Sequence, residues 1–163
     1  LAGISAPVGR GARGRYELAG GPVLLIDESY NANPASVAAA LAAMAATPRD
    51  EFPRRIAILG DMRELGQQSD VLHSALAPAI EAAGVDVLFA AGPHMAGLYA
   101  AVPPARRGAH APEAAGLIDD VLAAVRAGDV VMVKGSLGSH MGPIVDALKS
   151  HLASAARGTL TSR

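Results

Sequence analysis

The sequence predicts one α/β domain: a Rossmann-like, mostly parallel sheet flanked by helices on both faces, with an antiparallel edge strand at its N-terminal end. Three observations predict it. Four short apolar runs, Val23–Ile26, Ile56–Leu59, Val85–Ala90 and Val130–Val133, have the continuous hydrophobicity of strands buried on both faces. Helix-length segments separate these runs, and strand alternating with helix builds βαβ units around a parallel sheet. The chain of 163 residues is long enough for one core, and 51% hydrophobic with 18% charged residues excludes wholesale disorder.

Each element follows from local chemistry. Arg15–Leu18, the turn Ala19-Gly20-Gly21-Pro22 and the first buried run together read as a hairpin, which supplies the antiparallel edge strand. Helices are expected over Ser36–Ala46, Ser69–Ala83, Pro112–Arg126 and His140–Leu152. The apolar stretch Val37–Ala46 is mostly alanine and reads as a helix packed close to its neighbour. It falls well short of the roughly 20 apolar residues that a membrane span needs. Arg107–His110 reads as a short extra edge strand. Residues 1–13, rich in Gly and Arg, read as a linker, residues 14–152 as the domain, and residues 153–163 as a small polar tail that frays.

Composition removes several classes of function. Fourteen basic against fifteen acidic side chains give a net charge of −1, so no electrostatic footprint for nucleic acid or an anionic membrane is present. Without cysteine there is no disulfide framework, thiolate metal site or cysteine nucleophile. His94, His110, His140 and His151 show no metal-ligand spacing with carboxylates. Nothing resembles a signal peptide. The stretch Gly9–Gly14 formally matches GxGxxG, but it precedes the first strand and opens no helix, so the dinucleotide reading fails on context. No GxxxxGK[ST] phosphate loop occurs.

Ligands of open parallel sheets bind outside the carboxyl ends of the strands. The residues that follow each buried run are therefore the candidate site. The first run leads into Asp27-Glu28-Ser29-Tyr30-Asn31-Ala32-Asn33-Pro34, the second into Gly60-Asp61-Met62-Arg63-Glu64, and the last into Lys134-Gly135-Ser136. Carboxylates suit ribose hydroxyls, while an ammonium group and glycine-rich backbone suit phosphate. Each residue also has a plainer use. Asn31, Asn33 and Ser36 are the residue types that turn and cap a helix starting after Pro34, and Asp61 is one that caps a loop. His73, among Val71, Leu72 and Leu76, reads as a packing histidine.

Leu25–Ser36 resembles the LLDDSYNANPxS signature of the D-alanyl-D-alanine-adding branch of the Mur ligase family. Leu59–Gly66 followed by His73 is similar to that branch's LGDMxELG…H, and Val133–Ser136 to its VKGS. The resemblance is co-linear from Leu25 to Leu148 and covers a C-terminal Rossmann-like domain; the missing phosphate loop belongs to a central ATPase domain. It implies an ATP-dependent ligase of peptidoglycan precursor synthesis, and so of cell wall growth, shape and division, in the cytoplasm. Its partners would be ATP, D-alanyl-D-alanine and UDP-N-acetylmuramoyl-tripeptide, with Mg²⁺ held mainly by the central domain. The chain would pack against its own N-terminal and central domains. Carried over by position, Asp27 or Glu28 would bind the ATP ribose, and Tyr30, Asn31 and Asn33 would line the nucleotide and dipeptide cleft. Asp61 and Glu64 would shape the loop facing the incoming amine. Lys134 and Ser136 would face phosphate or the dipeptide carboxylate, and His73 matches the family pattern within the catalytic set. The family commonly has Arg after VKGS, where this chain has Leu137, and a Met-Glu pair where it has Met141-Gly142. Either Lys134 alone or His140 would then meet the anion.

Two other readings compete. A phosphoacceptor receiver domain also carries an acidic pair after its first strand, but its Asp should follow the third parallel strand, where Gly92 stands, and its Lys should precede Pro rather than Gly135. A stand-alone nucleotide-binding module would need no phosphate-loop partner at all.

Overall fold

The structure is a computed structural model and describes residues 9–161. In chain order it contains β1 (Ala12–Leu18), β2 (Gly21–Glu28), α1 (Pro34–Ala45), β3 (Arg54–Gly60), α2 (Ser69–Ser74), α3 (Ala77–Ala82), β4 (Val87–Ala91), α4 (Met95–Ala101), β5 (Arg107–Ala111), α5 (Ile118–Ala124), β6 (Asp129–Lys134) and α6 (Gly142–Thr161). The six strands form one sheet in the order β1-β2-β6-β3-β4-β5. Only β1 runs antiparallel, paired with β2 through the expected hairpin; the β2–β6, β6–β3, β3–β4 and β4–β5 pairs are parallel.

Strand side chains alternate between faces, so a continuous apolar run must be covered twice. On β6, Val130 and Met132 pack with Val37, Leu41 and Met44 of α1, Ile80 of α3 and Leu98 of α4. The intervening Val131 and Val133 pack on the opposite face with Val121 of α5 and with Ile144, Val145 and Leu148 of α6. Both cores are buried. This explains why the runs carry no polar alternation, and it places every parallel strand's carboxyl end along one edge.

The helices depart from the sequence expectation in informative ways. The segment Ser69–Ala83 breaks into α2 and α3, because Pro78 cannot donate the backbone N–H that a continuous helix would direct at Ser74. In Pro112–Arg126 the helix proper is only α5, preceded by a 3-10 turn over Ala114–Leu117. Helix α4 carries no strong sequence signal; its cap comes from a distant residue, described below. His140 adopts a left-handed conformation (φ 54°), which delays α6 to Gly142. Helix α6 then runs through the segment read as a fraying tail as far as Thr161; Ala153, Ala155 and Ala156 sustain it beyond the buried Leu152. At the other end of the chain β1 starts at Ala12, inside the segment read as linker, while residues 1–8 of that linker lie outside the described residues.

The amino ends of the strands are pinned by two arginines. Arg54 grips the fully buried Asp129 with Nε to Oδ1 at 2.7 Å and Nη2 to Oδ2 at 2.8 Å. Arg55 donates to the carbonyls of Ala83, Ala45 and Thr47, satisfying the ends of α3 and α1.

Candidate functional site

The loops after β2, β3 and β6 meet at the carboxyl edge of the sheet, and Ser136 joins them. Its Oγ accepts the Arg63 N–H at 2.9 Å and donates to the Ala32 carbonyl at 3.3 Å, while its own N–H donates to the Asp61 carbonyl. Asn31, Asp61 and Lys134 therefore share one rim, as the sequence reading requires.

Lys134 ends β6 with only 4% of its surface exposed. Its Nζ donates to the Asn31 carbonyl at 2.9 Å and lies 3.5 Å from Glu28 Oε2. Burial pushes the ammonium below the ordinary lysine range, and Glu28 pulls it back up. The side chain thus clamps the β2 loop to β6 and presents Glu28, Tyr30 and Asn31 at the rim.

Several predicted site residues are engaged inside the fold. Asp27 is buried, with Oδ1 accepting from the Ser29 N–H and Oγ and Oδ2 from the Gly9 N–H. Its oxygens therefore organise the loop, and Glu28 is the carboxylate of the pair that reaches a cleft. Asn33 caps α1 in a reciprocal capping box with Ser36: Oδ1 accepts the Ser36 N–H at 2.8 Å and Ser36 Oγ accepts the Asn33 N–H at 3.0 Å. Asp61 caps not its own loop but α4, accepting from the Met95 N–H at 3.1 Å and the His94 N–H at 3.3 Å.

His73 is fully buried, and both ring nitrogens meet backbone. Nε2 accepts the Met62 N–H at 2.8 Å, which leaves the proton on Nδ1 to donate to the Ser69 carbonyl at 2.6 Å. An imidazole so occupied ties the β3 loop to α2 and holds that loop in place. We expect His73→Phe to cost about 1–3 kcal/mol of unfolding free energy, because it strands a buried donor and acceptor. Urea denaturation measures it, and an unchanged midpoint would refute the positioning role.

Two clefts open on the rim. The first, of about 370 Å³, lies beside β2 and is lined by Arg10, Glu28, Tyr30, Asn31, Ser36 and Lys134. Here the Arg10 guanidinium sits 3.9 Å from the centre of the exposed Tyr30 ring. The second, of about 480 Å³, spans the ends of β3, β4, β5 and β6, with Arg63, Pro93, Glu113, Ser139 and His140 among its walls. Glu64, left-handed at φ 63°, lines a smaller hollow next to it with Gly66 and His94. Tyr30, Asn31 and Glu64 keep exposed side chains at the rim. Sequence reasoning passed over Arg10, Arg63 and Glu113. Arg63 occupies the variable position of its motif, and Glu113 follows an edge strand whose placement only the sheet reveals.

A parallel sheet that gathers polar loops and two clefts on its carboxyl edge is an α/β domain of the doubly wound type, the architecture whose ligands bind at that edge. Residues 14–137 match the family model described as Mur ligase, glutamate ligase domain, and the chain belongs to the Mur ligase family. It is 33% identical over 130 residues to the UDP-N-acetylmuramoyl-tripeptide–D-alanyl-D-alanine ligase of Escherichia coli, covering 78% of this chain and 27% of that protein. With the ligase of the same name from Synechocystis it shares 37% over 87 residues, 53% of this chain and 18% of that protein. The chain therefore spans about a quarter or less of these relatives. Among solved structures, MurF from Acinetobacter baumannii superposes with a TM-score of 0.76 at 22% identity, over 92% of this chain and 32% of that one. MurF ligase from Thermotoga maritima, solved in complex with ADP, superposes with a TM-score of 0.72 at 22% identity, over 96% and 34%. These confirm the fold. Neither the receiver nor the stand-alone reading finds support among the matches.

Proposed function

We propose that this chain is the C-terminal module of an ATP-dependent ligase that joins D-alanyl-D-alanine to UDP-N-acetylmuramoyl-tripeptide in peptidoglycan precursor synthesis, a cytoplasmic step that feeds wall growth and division. The observation that carries the proposal is the rim itself. Three loops bearing the family motifs are locked together by Ser136 and Lys134, with one cleft on each side. In the parent, phosphorylation of the tripeptide carboxylate gives an acyl phosphate. The dipeptide amine adds to that carbonyl, and the tetrahedral intermediate expels phosphate as the amide forms.

The module's part is positioning and exclusion of water. Glu28, Tyr30 and Asn31 face the nucleoside end of ATP in the first cleft. The second cleft, beside the loop of Asp61 and Glu64, receives the dipeptide. Asp27, Asn33, Ser136 and Lys134 act beneath these groups by fixing the loops. The rim closes over the central ATPase domain, the module's body running from β1 to α6 and the segment before β1 linking it to that domain. In this reading the Mg²⁺ that accompanies ATP is held mainly by the parent's central domain.

Asn31→Ala in the parent ligase tests the assignment, since its side chain is exposed and its loss leaves the Lys134 clamp on the Asn31 carbonyl in place. We expect a loss of about tenfold in kcat/KM, the worth of one hydrogen bond of about 1.4 kcal/mol, at unchanged thermal stability. Unaltered kinetics would remove the first cleft from the reaction.

A further inference from the structure

We infer that Arg63 and Glu113 are the two charged poles of the second cleft, so that it selects a short peptide with both termini free. This rests on the assignment of that cleft to the incoming dipeptide and adds which residues recognise its ends.

Arg63 is anchored at its base and free at its tip. Its backbone N–H is held by Ser136 Oγ, and its guanidinium lies along Gly138, where even a methyl group would come within 3.2 Å of Nε. That glycine lets the planar group lie flat on the β6 loop. No hydrogen-bond or ion-pair partner meets the Arg63 side chain among the described residues. Asp61, on the same loop, has its oxygens turned to the backbone of α4 and makes no ion pair with it. A guanidinium fork so placed is complementary to a carboxylate.

Glu113 stands on another wall of the same cleft, in the turn after β5, also exposed and without a side-chain partner among the described residues. A carboxylate there suits an ammonium group. Asp61 and His140 also line the cleft, Asp61 with its oxygens turned to the backbone of α4, while Ala91, Gly92, Pro93, Pro112 and Pro143 limit bulk. The volume of about 480 Å³ falls in the range of small-ligand sites. Opposite charges on walls of small, stiff residues match a zwitterion with small side chains. They disfavour a peptide capped at either end, which would leave one pole unpaired.

The test uses D-alanyl-D-alanine, its C-terminal amide and its N-acetyl derivative, titrated into the ¹⁵N-labelled chain and followed by amide chemical shifts. The wild type should move Gly92 and Ser139 with the free dipeptide and bind the amide roughly tenfold or more weakly, the worth of one charge-assisted bond. Arg63→Met should bind acid and amide equally, and Arg63→Lys should recover part of the discrimination. Glu113→Gln should abolish the preference for a free amine while keeping the acid-over-amide ratio. If the dipeptide still moves Gly92 and Ser139 but Arg63→Met discriminates as the wild type does, the role of Arg63 is overturned while the cleft assignment stands. If the shifts fall on Tyr30 and Asn31, or none occur, the cleft assignment fails and this inference falls with it.

Discussion

Asp129→Ala is expected to lower the unfolding free energy by about 3–5 kcal/mol, the usual cost of removing one partner from a buried ion pair. Asp129 is fully buried at the amino end of β6 and receives Arg54 Nε and Nη2, together with the Arg126 N–H at 2.8 Å. Its removal leaves a guanidinium that is four-fifths buried with only the Ala124 carbonyl for company. The double variant Arg54→Met with Asp129→Leu should recover much of the loss, since the apolar pair strands no charge. The pair lies at the end of the sheet opposite the clefts, so ligand binding by the folded fraction should be unchanged. Urea denaturation with an unaltered slope would report this, and a loss below about 1 kcal/mol would show that the pair is not desolvated.

Gly92→Ala should cost about 3 kcal/mol or more and loosen α4. Gly92 sits at φ 111°, a region closed to side-chain-bearing residues, and an added methyl group would overlap the Asp61 carboxyl group. That carboxylate caps α4, so the clash is transmitted to the His94 and Met95 N–H groups. A double variant with Asp61→Ala should lose less than the sum of the two single losses, because once the carboxylate is gone the methyl group has room. Strict additivity would contradict the contact. Hydrogen exchange at Met95 should rise in the single variant and mark where the damage goes.

The fold was largely legible because its signals are local. Val23–Ile26 and Val130–Val133 are short, apolar on consecutive residues and rich in β-branched side chains, as a doubly covered strand requires. The hairpin of β1 with β2 and the short edge strand at Arg107 also came from neighbouring residues. Helix α4 was missed because the group that caps it, Asp61, lies 34 residues from Met95. The break before Pro78 could have been anticipated, since its missing N–H is a property of that residue alone.

The candidate site divides in the same way. That Asp27, Asn31, Asp61, Lys134 and Ser136 gather on one edge follows from each standing at the end of a buried run, and strand direction alone carries them there. Which of them turn toward a ligand does not follow, because the polar groups compete for partners supplied by distant loops. Asp27 takes the Gly9 N–H, Asp61 takes α4, and Lys134 takes the Asn31 carbonyl. The open rim is left to the half-buried Glu28 and the exposed Tyr30, Asn31, Arg63, Glu64 and Glu113. The sequence by itself thus determined the sheet and the edge at which its chemistry lies, since apolar periodicity needs no knowledge of contacts. Only the tertiary structure decided which polar side chains brace that edge and which remain free, since hydrogen-bond partners far apart in the chain are chosen by packing.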